Sequence, residues 1–223
     1  LSGGDVANIT AHSVAGAMCS CNNRDEMRHW FRALKADTLV HCAANAREGA
    51  SQFQPDAVTR RNFAAYMTTL SAAVECDVQH VILFSSMSVY GDQRPPFDED
   101  ALLKPMDVYA VNKAAMEQAT RILAQVHGFR YMIVRPHNVF GERQCLSDKF
   151  RNVVAIFMNR IMRNEPLFIY GDGEQRRAFS YIEDSLPAFV RAVDLVESEP
   201  CANGMVVNVG GKEHITVNAL ADA

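Results

Sequence analysis

The chain has no long apolar run; stretches such as Val81 to Phe84 stop far short of the roughly 20 residues that cross a bilayer, so no membrane partner is expected. It has no basic run either, and its formal net charge of -4 gives no reason to expect nucleic-acid binding. No basic stretch followed by an apolar one opens the sequence, which begins at Leu1, so no secretory leader is visible. The cysteines lack metal-site spacing. Cys19 and Cys21 form a lone C-x-C, with no second pair to complete a zinc site, and Cys42, Cys76, Cys145 and Cys201 are scattered. No metal is expected, and free thiols in a reducing, cytoplasmic setting are the preferred reading. G-x-G-x-x-G and G-x-x-G-x-x-G are also missing, so no glycine-rich turn of the kind that seats a dinucleotide pyrophosphate is present. Either the protein uses no dinucleotide, or the sequence begins after that turn.

What is present is ordinary globular composition, 48% apolar and 22% charged over 223 residues, enough chain for a sizeable core. Short apolar runs alternate with long amphipathic stretches, which predicts an α/β fold with a parallel sheet. Thr38 to Ala43 reads as a buried strand, Asp56 to Cys76 as a helix, and His80 to Ser86 as the next strand. A loop marked by Gly91, Pro95, Pro96 and Pro105 follows. Asp107 is placed to cap a helix from Val108 to His127, closed by Gly128, and Tyr131 to Val134 is a further strand ended by Pro136. Beyond about Phe140 the texture becomes shorter and more irregular. A helix is predicted over 148–164, a strand over 167–170, a turn at Gly171-Asp172-Gly173 and a helix over 181–196 interrupted by Pro187. A strand over 205–209 follows, then a last helix capped by Thr216.

The chemistry-bearing pattern is Tyr109-Ala110-Val111-Asn112-Lys113. On a helix, positions i and i+4 share a face, so phenol and ammonium can enter one cleft. A nearby cation favours the phenolate and brings a tyrosine pKa down from about 10, which makes Tyr109 a credible general base. Alone, the pair reads more readily as a surface tyrosine and a solvated lysine. Ser85-Ser86 changes the balance, because it falls at the carboxyl end of a strand, where open α/β sheets bind ligands, and Tyr109 opens the next helix. A hydroxyl on a strand tip and a phenol on the following helix can meet one substrate oxygen.

The sequence then resembles the extended short-chain dehydrogenase/reductases of the NAD-dependent epimerase/dehydratase group. The matching stretches are His41-Cys42-Ala43-Ala44, Phe84 to Gly91, Tyr109 to Lys113, Arg135 to Gly141, Ile169 to Arg177 and Val207 to Gly210. Leu1-Ser2-Gly3-Gly4 is similar to the family's stretch just after its second strand. The resemblance implies a Rossmann-like, doubly wound parallel sheet with a smaller C-terminal substrate-binding part. Residues 1–140 would be a partial dinucleotide-binding domain lacking its first glycine turn, and residues 141–223 a partial substrate-binding cap. It implies a piece of a longer protein, one not expected to bind NAD tightly without that turn.

It also implies roles. Tyr109 would be the general base, Lys113 would hold the nicotinamide ribose and lower the tyrosine pKa, and Ser86 would bond the sugar hydroxyl. Cys42, Ala43 and Ala44 would pass the NAD cofactor closely, and His137 would meet the nicotinamide through its backbone. Asn62 would brace the cofactor-side loop, a helix-surface amide being the other reading, while His41 is better read as a core histidine. Asn138 and Arg177 would hold the diphosphate of a nucleotide-sugar substrate, a task suited to a guanidinium fork, and Arg176 is read as a solvated charge. Two family positions depart: Gly16-Ala17-Met18 stands where Gly-Asp is common, and Ala178 where aspartate often follows the arginine. Sugar 4,6-dehydratases place Asp-Glu directly after the active serine or threonine; here those positions are Met87 and Ser88, which cannot serve as acid and base. The resemblance therefore favours epimerisation at C4 of a UDP-hexose through a transient 4-keto sugar. A 4,6-dehydratase or decarboxylase of the same family, or a non-catalytic dinucleotide-fold protein, are the alternatives. Helices 56–76 and 108–127 resemble the family's dimerisation pair, so a homodimer is expected.

Overall fold

A computed structural model describes residues 18–148, 150 and 152–223; the Leu1-Ser2-Gly3-Gly4 and Gly16-Ala17 readings lie outside the described residues. The first described element is a helix that none of the matching stretches contains, α1 (Arg24–Leu34). Asn23 caps it by accepting from the Glu26 N–H at 3.3 Å, and Asp25 and Glu26 sit in the first turn, where the helix dipole favours acids. In chain order there follow β1 (Thr38–His41), α2 (Glu48–Ser51), α3 (Pro55–Thr59), a π-helical segment (Arg60–Ala64) and α4 (Ala65–Glu75). Next come β2 (His80–Phe84), a 3-10 turn (Met87–Tyr90), α5 (Val108–His127) and β3 (Arg130–Pro136). The later part holds β4 (Val139–Phe140), α6 (Val153–Met162), β5 (Arg176–Arg177), β6 (Ser180–Tyr181) and α7 (Ile182–Ser198). It ends with β7 (Val206–Val209), β8 (Ile215–Thr216) and α8 (Val217–Asp222).

The main sheet has the order β1-β2-β3-β7, with every neighbouring pair parallel. Parallel neighbours need crossovers, and the helices supply them on both faces. Side chains alternate along each strand, so Val81, Leu83 and Ile133 pack with Tyr66 and Leu70 of α4 and Met116 of α5. Ile82, Met132 and Val134 point the other way, against Ala192 and Val196 of α7. The sheet is thus parallel, as the α/β rhythm predicted, and doubly wound, as the resemblance implied. Beyond residue 140, α7 and β7 join this main sheet, while β4–β6 and β5–β8 form two small two-stranded sheets.

Local chemistry sets the element ends. Asp107 accepts from the Ala110 N–H at 2.9 Å to start α5, and Gly128, at φ 80°, closes it in a left-handed conformation. Thr216 caps α8 by accepting from the Ala219 N–H at 3.0 Å. The helix predicted over 148–164 contracts to Val153–Met162 because Asn152 caps it, accepting from the Ala155 N–H at 3.1 Å. The strand predicted over 167–170 is absent: that stretch finds no ladder partner among the described residues, and Phe168 instead lies under the Arg160 guanidinium at 4.2 Å. Pro187 does not interrupt α7. Both it and Glu183, whose carbonyl loses its helical donor, are exposed, so water can take the place of that bond.

Candidate active site

Strands β1, β2 and β3 end on the same edge of the sheet, and α5 starts beside it. The fourfold spacing brings Tyr109 and Lys113 onto the buried face of α5, at 5% and 2% exposure, so neither is the solvated side chain that the pair alone would suggest. Lys113 Nζ donates to the Phe84 carbonyl at 2.6 Å, at the tip of β2, and stands 5.7 Å from the centre of the Tyr109 ring. Burial pushes the lysine pKa down to about 8, against the pull of Cys42 and Glu117. At neutral pH it therefore remains mostly protonated, and a buried cation beside a phenol favours the phenolate.

Ser86 precedes the 3-10 turn, and its Oγ accepts from the Ser88 N–H at 3.2 Å and the Ser88 hydroxyl at 2.9 Å. A hydroxyl has two lone pairs and one proton. With both lone pairs engaged, Ser86 has its proton to offer a substrate oxygen. Cys42, Ala43 and Ala44 leave the tip of β1 exposed, consistent with a surface passed closely by a ligand. His41, by contrast, is a core residue at 3% exposure, its ring 4.8 Å from that of Tyr66. Burial first, then Lys113, hold its pKa down to about 3, while a backbone hydrogen bond with Ala43 pulls the other way.

Asn62 is wholly buried in the π-helical segment, so it is not a helix-surface amide. Its Oδ1 accepts from the Asn45 N–H at 2.7 Å and its Nδ2 donates to the Asn45 carbonyl at 3.2 Å. It therefore pins the loop that leaves β1. Asn62→Leu would leave both Asn45 groups unpaired in a buried place, at a cost of about 2–4 kcal/mol. Urea denaturation measures that loss; an unchanged midpoint would show that the loop relaxes to water.

Just beyond β3, Asn138 sits at φ 41° and its Nδ2 donates to the Ala178 carbonyl at 3.0 Å, next to Arg177. Arg177 is exposed, its Nη1 donating to the Arg176 carbonyl at 2.8 Å. It lies near enough to His137 to add to the burial that lowers the His137 pKa, and it opposes the burial that raises the pKa of Glu48. Asn138, His137 and Arg177 thus share one neighbourhood.

Beneath the site is a buried polar network that none of the sequence-based site residues belongs to. Glu117, one turn beyond Lys113 on α5, has no exposed side-chain surface. It accepts from Arg135 Nε at 2.9 Å and Nη2 at 2.8 Å, from the Ser85 hydroxyl at 2.6 Å and from Arg121 Nη2 at 3.1 Å. Arg135 also donates to the Tyr90 hydroxyl and, at 2.9 Å, to the Glu99 carbonyl. Tyr90 in turn donates to Asn208 Oδ1 at 2.9 Å, tying β7 into the network. The available signal was the recurrence of Tyr109, Lys113, Glu117 and Arg121 at every fourth position, one stripe of polar groups along a helix that packs on the sheet.

Residues 4–210 match the NAD dependent epimerase/dehydratase family. The chain belongs to that family. It is 31% identical over 184 residues to the uncharacterised UDP-glucose epimerase YtcB of Bacillus subtilis, covering 81% of this chain and 55% of that protein. It is also 31% identical over 194 residues to the mouse dTDP-D-glucose 4,6-dehydratase, covering 86% of this chain and 52% of that one. The structure of a UDP-glucose 4-epimerase from Thermotoga maritima, with UDP-glucose, superposes with a TM-score of 0.87 at 28% identity, covering 100% of this chain and 70% of that one. The chain thus spans about half the length of these curated relatives. Among the described residues no cluster of three or more His, Cys, Asp or Glu side chains could hold a metal ion, and no helix is long and apolar enough to cross a membrane.

Proposed function

We propose that the protein carrying this chain epimerises a nucleotide-diphosphate sugar at C4, a UDP-hexose being the preferred substrate, with NAD as cofactor. The observation that carries the reading is the buried Tyr109–Lys113 pair, anchored by Lys113 to the Phe84 carbonyl two residues before Ser86, whose hydroxyl already accepts two hydrogen bonds. The residues present fit the nicotinamide end of the cofactor: an exposed tip of β1 at Cys42, Ala43 and Ala44, a loop pinned by Asn62, and the Lys113 ammonium. NAD, when bound, would supply the hydride acceptor and later the donor.

In the forward half-reaction Tyr109, as phenolate, takes the proton from the C4 hydroxyl. Ser86 donates to the same oxygen, a bond that persists as that oxygen becomes a ketone. Lys113 stabilises the phenolate by charge. Arg177 and Asn138 hold the diphosphate, leaving the sugar free to turn, and Tyr109 then returns the proton on the opposite face. Met87 and Ser88 supply no acid–base pair for elimination, which sets this reading against the dehydratase one that the mouse relative represents. The test is incubation of the protein carrying this chain with NAD and UDP-galactose, followed by NMR. UDP-glucose is the expected product; a 4-keto-6-deoxy sugar would establish dehydration instead, and no turnover would sink both.

A homodimer belongs to the same proposal. Val111, Ile122 and Val126 form an exposed apolar stripe on α5, at 50%, 51% and 69% exposure, suited to a second copy. Sedimentation that shows only monomer at high concentration would count against it.

A further inference from the structure

The catalytic helix is stapled to the end of β2 at two successive residues. Lys113 Nζ takes the Phe84 carbonyl at 2.6 Å, and four residues on, Glu117 takes the Ser85 hydroxyl at 2.6 Å. The Ser85 N–H is itself committed to the Val134 carbonyl at 2.7 Å, so the backbone just before Ser86 has little freedom. We propose that Glu117 is a positioning residue for the proton-transfer pair: through Ser85 it fixes where Ser86 stands relative to Tyr109, and it supplies the counter-charge one turn from Lys113. This rests on the catalytic reading of Tyr109, Lys113 and Ser86 given above.

The electrostatic half follows from what faces Lys113. The groups are Tyr109 and Glu117 on α5, and His41 and Cys42 at the end of β1. His41 is neutral at working pH, and desolvation of the Cys42 sulfur, on a residue that is otherwise exposed, holds its thiol protonated there, so its pull on Lys113 arises only once the thiol ionises at alkaline pH. Glu117 is left as the anion near Lys113 at neutral pH, and it raises the lysine pKa against burial. Glu117 itself is faced by Arg121 on α5 and Arg135 on β3, which keep it ionised.

Two variants separate the roles. Glu117→Gln removes the counter-charge, so Lys113 loses its proton at lower pH. The alkaline limb of the kcat profile is expected to move down by about one pH unit. The same downward shift should appear in the Lys113 Nζ titration followed by NMR without cofactor, with the signal assigned through Lys113→Arg. Ser85→Ala cuts the strap but keeps the charge; kcat is expected to fall about tenfold with KM for the sugar unchanged and no shift of the alkaline limb. It also stands in where Glu117→Gln fails to fold. A wild-type kcat in Ser85→Ala, or an unmoved Lys113 titration in Glu117→Gln, overturns the proposal. Tyr109→Phe run beside them keeps the two readings apart: if it stays active, the catalytic assignment falls and the NMR titration still decides the counter-charge. If it is inactive while both other variants behave as wild type, only the Glu117 role falls.

Discussion

On the proposed reading, Tyr109→Phe is expected to lower kcat by about a thousandfold and to leave the fold intact. General acid–base groups contribute about 10²–10⁴ in rate, and the substitution deletes only the atom that carries the proton. The ring is 5% exposed, and phenylalanine keeps that ring, so its apolar packing is expected to be preserved. The phenol acts chiefly in the transition state, so kcat and kcat/KM should fall together while KM stays within a few-fold. Initial rates of UDP-sugar turnover, with circular dichroism as the control for folding, check both statements. Retention of more than a tenth of the parent rate would remove Tyr109 from the mechanism and leave Ser86 and Lys113 as binding groups only.

The parts of this site that were legible in the sequence are those whose partners lie close along the chain. Tyr109 and Lys113 are one helical turn apart, and that spacing alone places them together. Strands β2 and β3 show as compact apolar runs because both faces of the sheet are covered there, while β1, read as a buried strand, leaves Val40 exposed. Helix α1 is missed by the sequence reading, which begins its elements at Thr38, although Met27, Trp30, Phe31 and Leu34 stand at helical spacing after the Asn23 cap. Leu167 to Tyr170 looks like a strand by composition, but a strand exists only where another edge accepts its hydrogen bonds, and none of the described residues offers one. The Glu117 network was illegible for a related reason. Its partners are Ser85, 32 residues away, and Arg135, 18 residues away, and only the closed sheet brings them together. Asn62 lies between these cases: its helix could be read, but its bonds to Asn45, 17 residues earlier, could not.

The second large effect is on stability, and it needs neither cofactor nor substrate. Arg135→Met strips the guanidinium from a carboxylate with no solvent exposure, and breaking a buried pair in this way costs about 3–5 kcal/mol. Most of that cost is the stranded charge and not the lost attraction. Adding Glu117→Leu should therefore restore much of the stability, giving a strongly non-additive cycle in urea denaturation. The pH dependence carries the same signature. Burial alone would raise the Glu117 pKa, but hydrogen bonds from Arg135 and Ser85 and the charges of Arg135 and Arg121 outweigh it and leave the value below 4.5. A depressed carboxylate contributes stability that is fully present above its unfolded pKa and is lost as pH falls through the folded value. The parent protein should thus lose this contribution on acidification below about pH 4.5. In Arg135→Met only the Ser85 hydrogen bond and the Arg121 charge are left to oppose burial, so Glu117 takes up its proton at higher pH than in the parent and that acid-side loss shrinks. Additive single and double variants, or an unchanged acid limb in Arg135→Met, would mean that Glu117 finds another partner when Arg135 is gone.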